Sequence, residues 1–372
     1  MSIVTDVVIV GAGIVGAACA HEFAKRKLRV HIVDEGVIGG GATAASMGHI
    51  VLMDDSLPQF ALTNYSQTLW EELYEHFPPN VEHDQCGTIW IARDGEEMTE
   101  LRRKSAFLRE HSVEAEILDE HALHEAEPNL CKPLAGGLLV RQDSIIYPPA
   151  AVLFLLEEAR KLGASVCSGK RVVAIRNGKA RLADGTVLAA RIIVNAAGQF
   201  ASKLVPGINM EPRKGHLVIT DRYPCFVRHQ LVELGYVKSA HSAAGASVAF
   251  NVQPRKTGHL LIGSSRQHGV AGTNVETSIL SQMLNRAFQY LPELKNLSAI
   301  RAWTGFRAAT PDKLPLIGPW PQDSTLYLAT GHEGLGVTTS LATARILCDQ
   351  ILGIQPAIPI ESYMPSRQVG SA

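Results

Sequence analysis

The chain has 372 residues, of which 46% are hydrophobic and 19% are charged, and its formal net charge is −1. This length and hydrophobic content predict a large core divided between two domains. Because 35 basic residues nearly balance 36 acidic ones without a dense basic cluster, the composition disfavours nucleic acid or an anionic membrane as a partner.

No segment of the sequence predicts export or membrane insertion. The N-terminus enters a strand-like run without the basic leader, apolar region and small-residue cleavage site of a signal peptide. The most apolar stretch elsewhere, which begins at Ala150, is too short to span a bilayer. We therefore expect a cytoplasmic protein without a transmembrane segment.

The cysteines are scattered, at Cys19, Cys86, Cys131, Cys167, Cys225 and Cys348. None belongs to a CxxC pair, so the pattern predicts neither a disulfide framework nor a bound metal or iron–sulfur cluster. We interpret these cysteines as small core residues.

The N-terminal segment carries a dinucleotide-binding pattern. An apolar strand over Val4 to Val10 leads into GAGIVG, a helix follows, and a second apolar strand over Leu28 to Val33 ends at Asp34. The glycines of the turn are Gly11, Gly13 and Gly16. They permit a tight turn and close approach to a pyrophosphate, while the acid accepts from a ribose hydroxyl. A glycine turn that serves packing alone is the competing interpretation.

The segment after the second strand favours FAD over NAD. GGGATAASMGHI, from Gly39 to Ile50, consists of small residues that cannot form a core by themselves. Its predicted use is close backbone approach to a flat ligand, with N–H groups available for contact. A loop at this point can guide FAD from the ribose towards a buried isoalloxazine ring.

The middle of the chain alternates between two regions. Helices are predicted over Thr63 to Phe77, Glu96 to His111 and Ala151 to Gly163. A β-meander follows, with turn signals at Asn177-Gly178 and Asp184-Gly185. Its last strand, Ile192 to Asn195, is apolar throughout and is expected to return to the first sheet.

The C-terminal region contains a second glycine-rich helix start. A strand over Leu326 to Ala329 leads into a turn with Gly331, Gly334 and Gly336, and a helix is predicted from Val337 to Leu352. A helix N-terminus attracts negative charge. In a flavoprotein, the N1–C2=O end of the reduced ring carries such a charge, and a helix dipole there would favour reduction.

The stretch AWTGFRAATPDKLPLIG, which begins at Ala302, places Arg307 among residues typical of a protein interior. A buried cation requires an anion, because an unpaired buried charge costs several kcal/mol. Two anions are considered: a bound ligand, and a structural ion pair with a residue such as Asp312.

Taken together, these motifs resemble the superfamily of D-amino-acid oxidase, glycine oxidase and sarcosine oxidase. GAGIVG with its acid, the small-residue loop, NAAG, PRKGH, WTGFR, TPDKLPLIG and GHEGLGVT occur in the order of that family. The resemblance implies an α/β fold, in which a Rossmann-like FAD-binding domain of the GR2 type is interleaved with an antiparallel-sheet substrate domain. It assigns residues 1–80, 140–212 and 298–372 to the first domain, and 81–139 and 213–297 to the second.

The resemblance also implies roles for individual residues. In the family, the arginine of the WTGFR-type motif binds the substrate carboxylate, which carries over to Arg307. His49, His332 and Glu333 are then placed to tune the substrate or the flavin, although a structural role is open for each. The FAD contacts that the motifs and the resemblance predict are Gly11, Gly13, Ile14, Val15, Gly16, Asp34, Glu35, Gly41, Ala42, Thr43, Ala45, Ser46, Met47, Gly48, Val172, Ala196, Ala197, Gly198, Gly331, Gly334, Leu335, Gly336, Val337 and Thr338.

Within the superfamily, ATAASMGHIVLMDD and TGHEGLGVTTSLATARIL look like the β subunits of heteromeric dehydrogenases for D-hydroxyproline, proline and opines. This implies hydride transfer from the α-carbon of an amino or imino acid to flavin N5, with D-hydroxyproline as the leading substrate and a second subunit as electron acceptor. No cysteine lies between Cys225 and Cys348, where sarcosine oxidases attach their flavin, so non-covalent FAD is implied.

Several alternatives remain open from the sequence. The chain is also compatible with an opine dehydrogenase, or with a glycine, sarcosine or D-amino-acid oxidase that uses oxygen directly. A flavin-bearing subunit without catalysis of its own is another possibility if Arg307 serves the structure. A tRNA-modifying flavoprotein of the same superfamily would need a basic face, which the near-neutral charge disfavours.

Overall fold

The structure, a computed structural model, describes residues 5–234 and 246–368. Its helices are α1 (Ile14–Lys25), α2 (Leu57–Glu71), α3 (Gly95–Glu110), α4 (Glu120–Ala126), α5 (Pro148–Lys161), α6 (Ala201–Leu204), α7 (Thr277–Tyr290) and α8 (Gly336–Leu352). Its strands are β1 (Thr5–Val10), β2 (Val30–Val33), β3 (His49–Ile50), β4 (Thr88–Ala92), β5 (Ala115–Asp119), β6 (Gly136–Val140), β7 (Ser144–Ile145), β8 (Ser165–Cys167), β9 (Val172–Arg176), β10 (Lys179–Leu182), β11 (Val187–Asn195), β12 (Glu211–Arg222), β13 (Gln230–Glu233), β14 (Ala246–Pro254), β15 (His259–Gln267), β16 (Ala299–Ala309), β17 (Leu316–Trp320), β18 (Asp323–Thr330) and β19 (His332–Glu333).

The chain forms two compact units, each assembled from separate segments. The first unit contains the described residues of Met1–Val81, Tyr147–Pro212 and Phe306–Ala372. The second unit contains those of Glu82–Ile146 and Arg213–Gly305. Each unit therefore closes its core with residues that are far apart in the sequence.

The first unit contains a mostly parallel sheet with the strand order β17-β18-β11-β1-β2-β8. Strand β1 lies between β11 and β2 and pairs in parallel with both, with Val10 opposite Asn195 on one side and opposite Val33 on the other. The last four residues of β1 are buried, as a strand covered on both faces requires. The prediction of a Rossmann-like α/β fold is confirmed, and β11 returns to the first sheet as predicted.

Small residues allow the helices of this unit to pack closely. Ala17, Ala18 and Ala20 in α1 are fully buried, and α1 packs against both α5 and α8. At the same contact, the buried Glu22 carboxylate pairs with Arg345 of α8, with Nε 2.7 Å from Oε1. The positive charge of Arg345 balances that of Glu22, so the carboxylate can be buried.

A three-stranded meander, β9-β10-β11, extends the first sheet. Asn177 and Gly178 form the turn between β9 and β10, with φ values of 48° and 69°. Two successive positive φ values define the type I′ hairpin that the Asn-Gly pair predicts. The N–H of Gly178 donates to Thr325 Oγ1 at 2.7 Å, which attaches the turn to β18.

The second unit contains a sheet with the strand order β16-β12-β15-β14-β13-β4-β6-β5. Most neighbouring pairs are antiparallel, but β13 and β4 run in parallel. Helix α7 packs on β14, where Phe250 stacks on Tyr290 with ring centroids 4.3 Å apart. Both rings are buried, and they are the aromatic centre of this unit's core.

The start of α2 differs from the sequence-based prediction. The helix begins at Leu57 instead of Thr63, because Ser56 caps it: the Ser56 hydroxyl accepts from the N–H of Gln59 at 3.3 Å. Pro58 occupies the first turn, where its missing N–H has no cost.

Three further observations concern disulfides, metal sites and membrane-spanning helices. All six cysteines lie within the described ranges, and none forms a disulfide. Over those same ranges, no three His, Cys, Asp or Glu side chains are grouped to hold a metal ion. No helix described here combines the length and the apolar character needed to cross a membrane.

Replacing Gly178 by alanine should destabilise the protein more than replacing Gly185. Both glycines have positive φ, at 69° and 87°, so each substitution carries the cost of a left-handed alanine, about 1 kcal/mol. Only at Gly178 would the added Cβ lie 2.7 Å from the carbonyl oxygen of Ala190. This clash should add about 1–3 kcal/mol. Thermal unfolding of the two variants measures the difference, and equal midpoints would contradict the described turn.

Candidate active site

The glycine-rich turns and Asp34 all follow the carboxyl ends of neighbouring parallel strands. Asp34 follows β2, Gly11 follows β1, Ala196 follows β11 and Gly331 follows β18. These four strands are adjacent in the order β18-β11-β1-β2. In open α/β sheets, ligands bind outside this edge. The structure therefore brings most of the predicted cofactor residues to one edge of the first unit.

Close backbone contact explains the glycines that begin α1. A Cβ on Gly11, whose φ is 104°, would lie 2.5 Å from the carbonyl oxygen of Ala196. A Cβ on Gly16 would overlap the carbonyl oxygen of Gly11. Close backbone packing therefore accounts for both glycines, against Ala196 for Gly11 and against the turn itself for Gly16. Gly13 differs, because its Cβ would meet only the Thr43 hydroxyl, at 3.2 Å.

Asp34 is held beside the glycine turn by backbone donors. Its Oδ2 accepts from the N–H of Ala12 at 2.6 Å, and its Oδ1 accepts from the N–H of Gly36 at 2.8 Å. An ionised carboxylate has about four lone-pair positions, so it can still accept from a ribose hydroxyl. Glu35, the next residue, is exposed and lies 3.6 Å from Arg171.

The small-residue loop folds into consecutive tight turns. Gly39 donates to Ala12 O at 2.9 Å, and Ala44 donates to Gly39 O at 2.9 Å. The N–H groups of Gly41, Ala42 and Thr43 take part in no hydrogen bond among the described residues. Three successive available N–H groups form the concave donor arrangement that binds anions.

The rest of the loop is more enclosed. The Thr43 hydroxyl accepts from the N–H of Ile14 at 3.0 Å, and this bond joins the loop to the first turn of α1. The Ser46 hydroxyl donates to Thr43 O at 2.8 Å. Ala45 is half-buried, while Met47 and Gly48 are buried. The loop is thus anchored on α1 and leads inward.

Other predicted contacts lie at the same edge. The N–H of Ala197 donates to Asn195 Oδ1 at 3.2 Å, and the carbonyl oxygen of Gly198 accepts from Thr330 Oγ1 at 3.0 Å. A Cβ on Gly198 would meet no atom within 4 Å. Val172 is different, since its side chain packs into the core beside Val33.

Helix α8 begins without a side-chain cap and without an acidic residue in its first turn. The N–H groups of Gly336, Val337 and Thr338 have no acceptor among the described residues, as expected for the first turn of a helix. The Thr338 hydroxyl, by contrast, is committed within the protein. It donates to His49 O at 2.9 Å and accepts from the N–H of Val51 at 3.4 Å. The groups of this turn that are available to a ligand are therefore its backbone N–H groups.

His332 faces the interior of the first unit. Its side chain is buried, and its Nε2 lies 2.9 Å from Thr343 Oγ1 in α8. Burial lowers the pKa of His332 to about 3. The imidazole is therefore neutral at ordinary pH and cannot supply a positive charge. His49, the other predicted histidine, is half-buried in β3.

Arg307, Glu333 and Gly334 come together where β16 pairs with β19. Ala308 lies opposite Glu333, and Ala309 lies opposite His332. The Arg307 side chain crosses Gly334, where an added Cβ would lie 3.6 Å from Nε. Glu333 is half-buried and has a φ of 49°, a conformation uncommon for residues other than glycine. Such strain often occurs at functional sites.

Asp312 is not the partner of Arg307. Its Oδ2 accepts from Arg367 Nε at 2.6 Å, and its Oδ1 accepts from Arg367 Nη2 at 3.3 Å. Burial opposes ionisation of Asp312, but the Arg367 guanidinium outweighs it and lowers the pKa of this carboxyl. The structural ion pair considered from the sequence is therefore formed with Arg367.

Sequence reasoning missed the residues that fix the start of α8. Trp70 of α2 is fully buried and donates its indole N–H to two carbonyl oxygens of the first turn, Val337 O at 3.2 Å and Thr338 O at 3.1 Å. Ser66 Oγ accepts from the N–H of Ala342 at 3.1 Å. The run Thr338-Thr339-Ser340, with Thr343, is a signal that could have indicated these contacts, because its hydroxyls are buried in an otherwise apolar helix.

The geometry fits a dinucleotide with a second centre of negative charge. Helix α1 also begins without a side-chain cap of its own and without an acidic residue in its first turn. Two uncapped helix N-termini, a donor-lined loop and a carboxylate after β2 thus belong to one unit. This combination is typical of a dinucleotide-binding protein of the Rossmann class.

The comparison with protein families is more specific. The family model described as FAD dependent oxidoreductase, DAO, matches residues 6–350. The chain belongs to this family, and FAD is its cofactor.

The similar proteins agree with this assignment over the whole chain. A glycine oxidase of Geobacillus kaustophilus is 28% identical, with 98% of this chain and 97% of the relative covered. Its crystal structure superposes with a TM-score of 0.87 at 27% identity, and the match covers 98% of this chain and 99% of that one. The hydrogen cyanide synthase subunit HcnC of Pseudomonas aeruginosa is 26% identical, covering 92% and 91% of the two chains. An L-proline dehydrogenase of P. horikoshii shares the fold, with a TM-score of 0.89 at 22% identity and coverage of 98% and 97%.

Replacing Asp34 by asparagine should weaken FAD binding about tenfold to a hundredfold. The amide has one acceptor atom in place of two, so one of the two backbone donors loses its partner and the ribose loses a charged acceptor, a change worth about 1.5–3 kcal/mol. FAD is removed by acid treatment, and the refolded protein is then titrated with FAD while flavin fluorescence is recorded. Glu158→Gln, which removes a half-buried carboxylate from α5, is the matched control and should bind FAD normally. Equal affinities would contradict the placement of Asp34.

Proposed function

We propose that the protein oxidises an amino or imino acid at the bond between the α-carbon and the amine nitrogen. FAD, when bound, accepts the hydride that leaves the α-carbon, and the resulting imine hydrolyses or cyclises. The protein's residues bind the two reactants, orient them and supply electrostatic stabilisation. The placement of Arg307 on β16, across Gly334 and one residue from the β19 pairing, is the observation that carries the proposal.

Arg307 is proposed to bind the substrate carboxylate. A guanidinium presents two parallel N–H donors to a carboxylate, which fixes both its position and its orientation. Its half-buried position strengthens this interaction relative to one in bulk water. Asp312, the anion considered from the sequence, is paired with Arg367.

Glu333 is proposed to face the amine end of the substrate. It follows His332 on β19, and its pairing with Ala308 places it one position from Arg307 on the opposing strand. A carboxylate beside a guanidinium matches the two charges of a zwitterionic amino acid. We assign His332 a positioning role through Thr343, because its imidazole is buried and neutral. His49 is proposed to connect β3 to α8 through its carbonyl oxygen.

FAD is proposed to lie along the carboxyl edge of the first sheet, without a covalent bond to the protein. Its pyrophosphate would meet the first turn of α1 and the N–H groups of Gly41, Ala42 and Thr43. Its adenosine ribose would meet Asp34. The flavin end would reach the first turn of α8, whose N–H groups favour negative charge. The other predicted contacts, including Glu35 and Val172, remain proposals.

The substrate class is proposed from the relatives. By their names, the glycine oxidase and the L-proline dehydrogenase act on glycine and L-proline, which are both amines with an α-carboxylate. Among such compounds we favour a secondary amine, with D-hydroxyproline as the leading candidate and opines as the alternative. Oxidation of glycine, sarcosine or a D-amino acid with oxygen is the second candidate function, and the glycine oxidase relatives favour it.

We further propose that the electrons pass to a partner subunit. One relative is named as a subunit of hydrogen cyanide synthase, which supports an assembly of this kind. This chain has no CxxC motif, so an iron–sulfur centre would have to belong to another chain. The proposed location is the cytoplasm.

Replacing Arg307 by methionine should leave FAD bound and reduce kcat/KM about 30-fold to 5000-fold. Removing one partner of a hydrogen-bonded charge pair costs about 2–5 kcal/mol. Arg307→Lys retains the charge without the two-pronged geometry, so its loss should be intermediate. Arg301→Met is the matched control, since Arg301 is an exposed cation on the same strand. An FAD-replete Arg307→Met variant with unchanged kcat/KM would show that Arg307 serves the structure alone.

Anaerobic mixing with a panel of amines should bleach the flavin fastest with secondary amines that bear an α-carboxylate. The panel contains D-hydroxyproline, L-proline, an opine, sarcosine, glycine and D-alanine at equal concentration, and the rate of loss of flavin absorbance is measured. Compounds that lack the carboxylate are the controls and should react slowly, because they cannot engage Arg307. Faster bleaching by glycine or D-alanine would contradict the preference for secondary amines.

The same reduced samples test the electron acceptor. After substrate is removed, air is admitted to one portion and a dye acceptor is added to another. Slow reoxidation by air with fast dye reduction is expected for a dehydrogenase. Fast reoxidation with stoichiometric peroxide would make the protein an oxidase.

A further inference from the structure

Side chains of α2 and α8 donate hydrogen bonds to the carbonyl groups in the first turn of α8. The Trp70 indole N–H is shared between Val337 O at 3.2 Å and Thr338 O at 3.1 Å. The Ser340 hydroxyl also donates to Val337 O, at 3.0 Å, and the Thr339 hydroxyl donates to Leu335 O at 2.8 Å. The three donor side chains, those of Trp70, Thr339 and Ser340, are buried, so water does not compete for these bonds.

These carbonyls share their peptide groups with N–H donors at the start of the helix. The carbonyl of Val337 and the N–H of Thr338 form one peptide group, and the carbonyl of Leu335 and the N–H of Gly336 form another. A hydrogen bond donated to a carbonyl polarises its peptide group, so the N–H on the other side becomes a stronger donor. The N–H groups of Gly336 and Thr338 have no acceptor among the described residues and are directed to the end of the helix.

We infer that Trp70 and Ser340 are positioning residues that raise the reduction potential of the flavin through the first turn of α8. The inference rests on the proposed function, in which the flavin end of FAD lies at this turn. A more polarised helix N-terminus stabilises negative charge more strongly. Trp70 also anchors the turn from outside α8, because it belongs to α2, and thereby fixes the direction of the N–H groups.

The test compares Trp70→Phe with Trp90→Phe. Both substitutions replace a buried indole by a smaller ring, since Trp70 is 0% exposed and Trp90 is 4% exposed. The indole N–H of Trp90 has no hydrogen-bond partner in the described part of the chain, whereas that of Trp70 has two. Trp90 lies in β4 of the second unit and is therefore a matched control for the loss of volume.

Two readouts are taken on FAD-replete protein, and neither depends on the amino-acid substrate. The first is the dissociation constant of sulfite, which adds to oxidised flavin and leaves negative charge at its N1–C2=O end. The second is the two-electron potential measured against a reference dye. Trp70→Phe should weaken sulfite binding about threefold to tenfold and lower the potential, where tenfold corresponds to about 30 mV for a two-electron couple. Trp90→Phe should leave both values unchanged.

Ser340→Ala provides a second, smaller perturbation, because it removes one hydroxyl from Val337 O without changing the packing of a large ring. It should shift both readouts in the same direction as Trp70→Phe, so the test survives if Trp70→Phe does not fold. A yellow, FAD-replete Trp70→Phe or Ser340→Ala variant with wild-type sulfite affinity and potential would overturn the inference. A protein that binds no FAD, or whose flavin no amino or imino acid reduces, would overturn the proposed function instead.

Discussion

The parallel pairing of β1 with β11 is the contact on which the rest of the first unit depends. It brings Gly11 so close to Ala196 that no side chain fits between their backbones. The turn at Gly11 then points α1 along the sheet, and Asp34 reaches the N–H of Ala12 from β2. The edge at which we propose that FAD binds is therefore shaped by strand pairing before any side chain contributes specificity.

The local elements of this unit were predictable because their signals are short in sequence. The order β1-α1-β2 and the Asn177-Gly178 hairpin are each indicated by residues that lie close together in the sequence. The start of α2 was missed, since a proline near Ser56 is compatible with both a loop and a first helical turn.

The contacts that arrange the site were less predictable, because they join distant parts of the chain. Trp70 bonds to carbonyls 267 and 268 residues away, and no periodicity in the sequence signals such a pair. The same limit applies to Arg307: its motif indicated a need for an anion, but the pairing of Asp312 with Arg367 is visible only in the structure. The resemblance to a known family identified the cofactor, whereas the hydrogen bonds around α8 had to be read from the fold.

The separation of the first unit into three segments has a consequence for synthesis on the ribosome. Helix α1 emerges early, but the helix that covers it, α8, ends at Leu352, close to the end of the chain. The contacts of α1 with α8 and the ion pair between Glu22 and Arg345 can form only after Arg345 has been translated. Until α8 has been translated, the apolar face of α1 that contacts it has no partner. In the proposed arrangement, the FAD site is complete only after α8 has been translated.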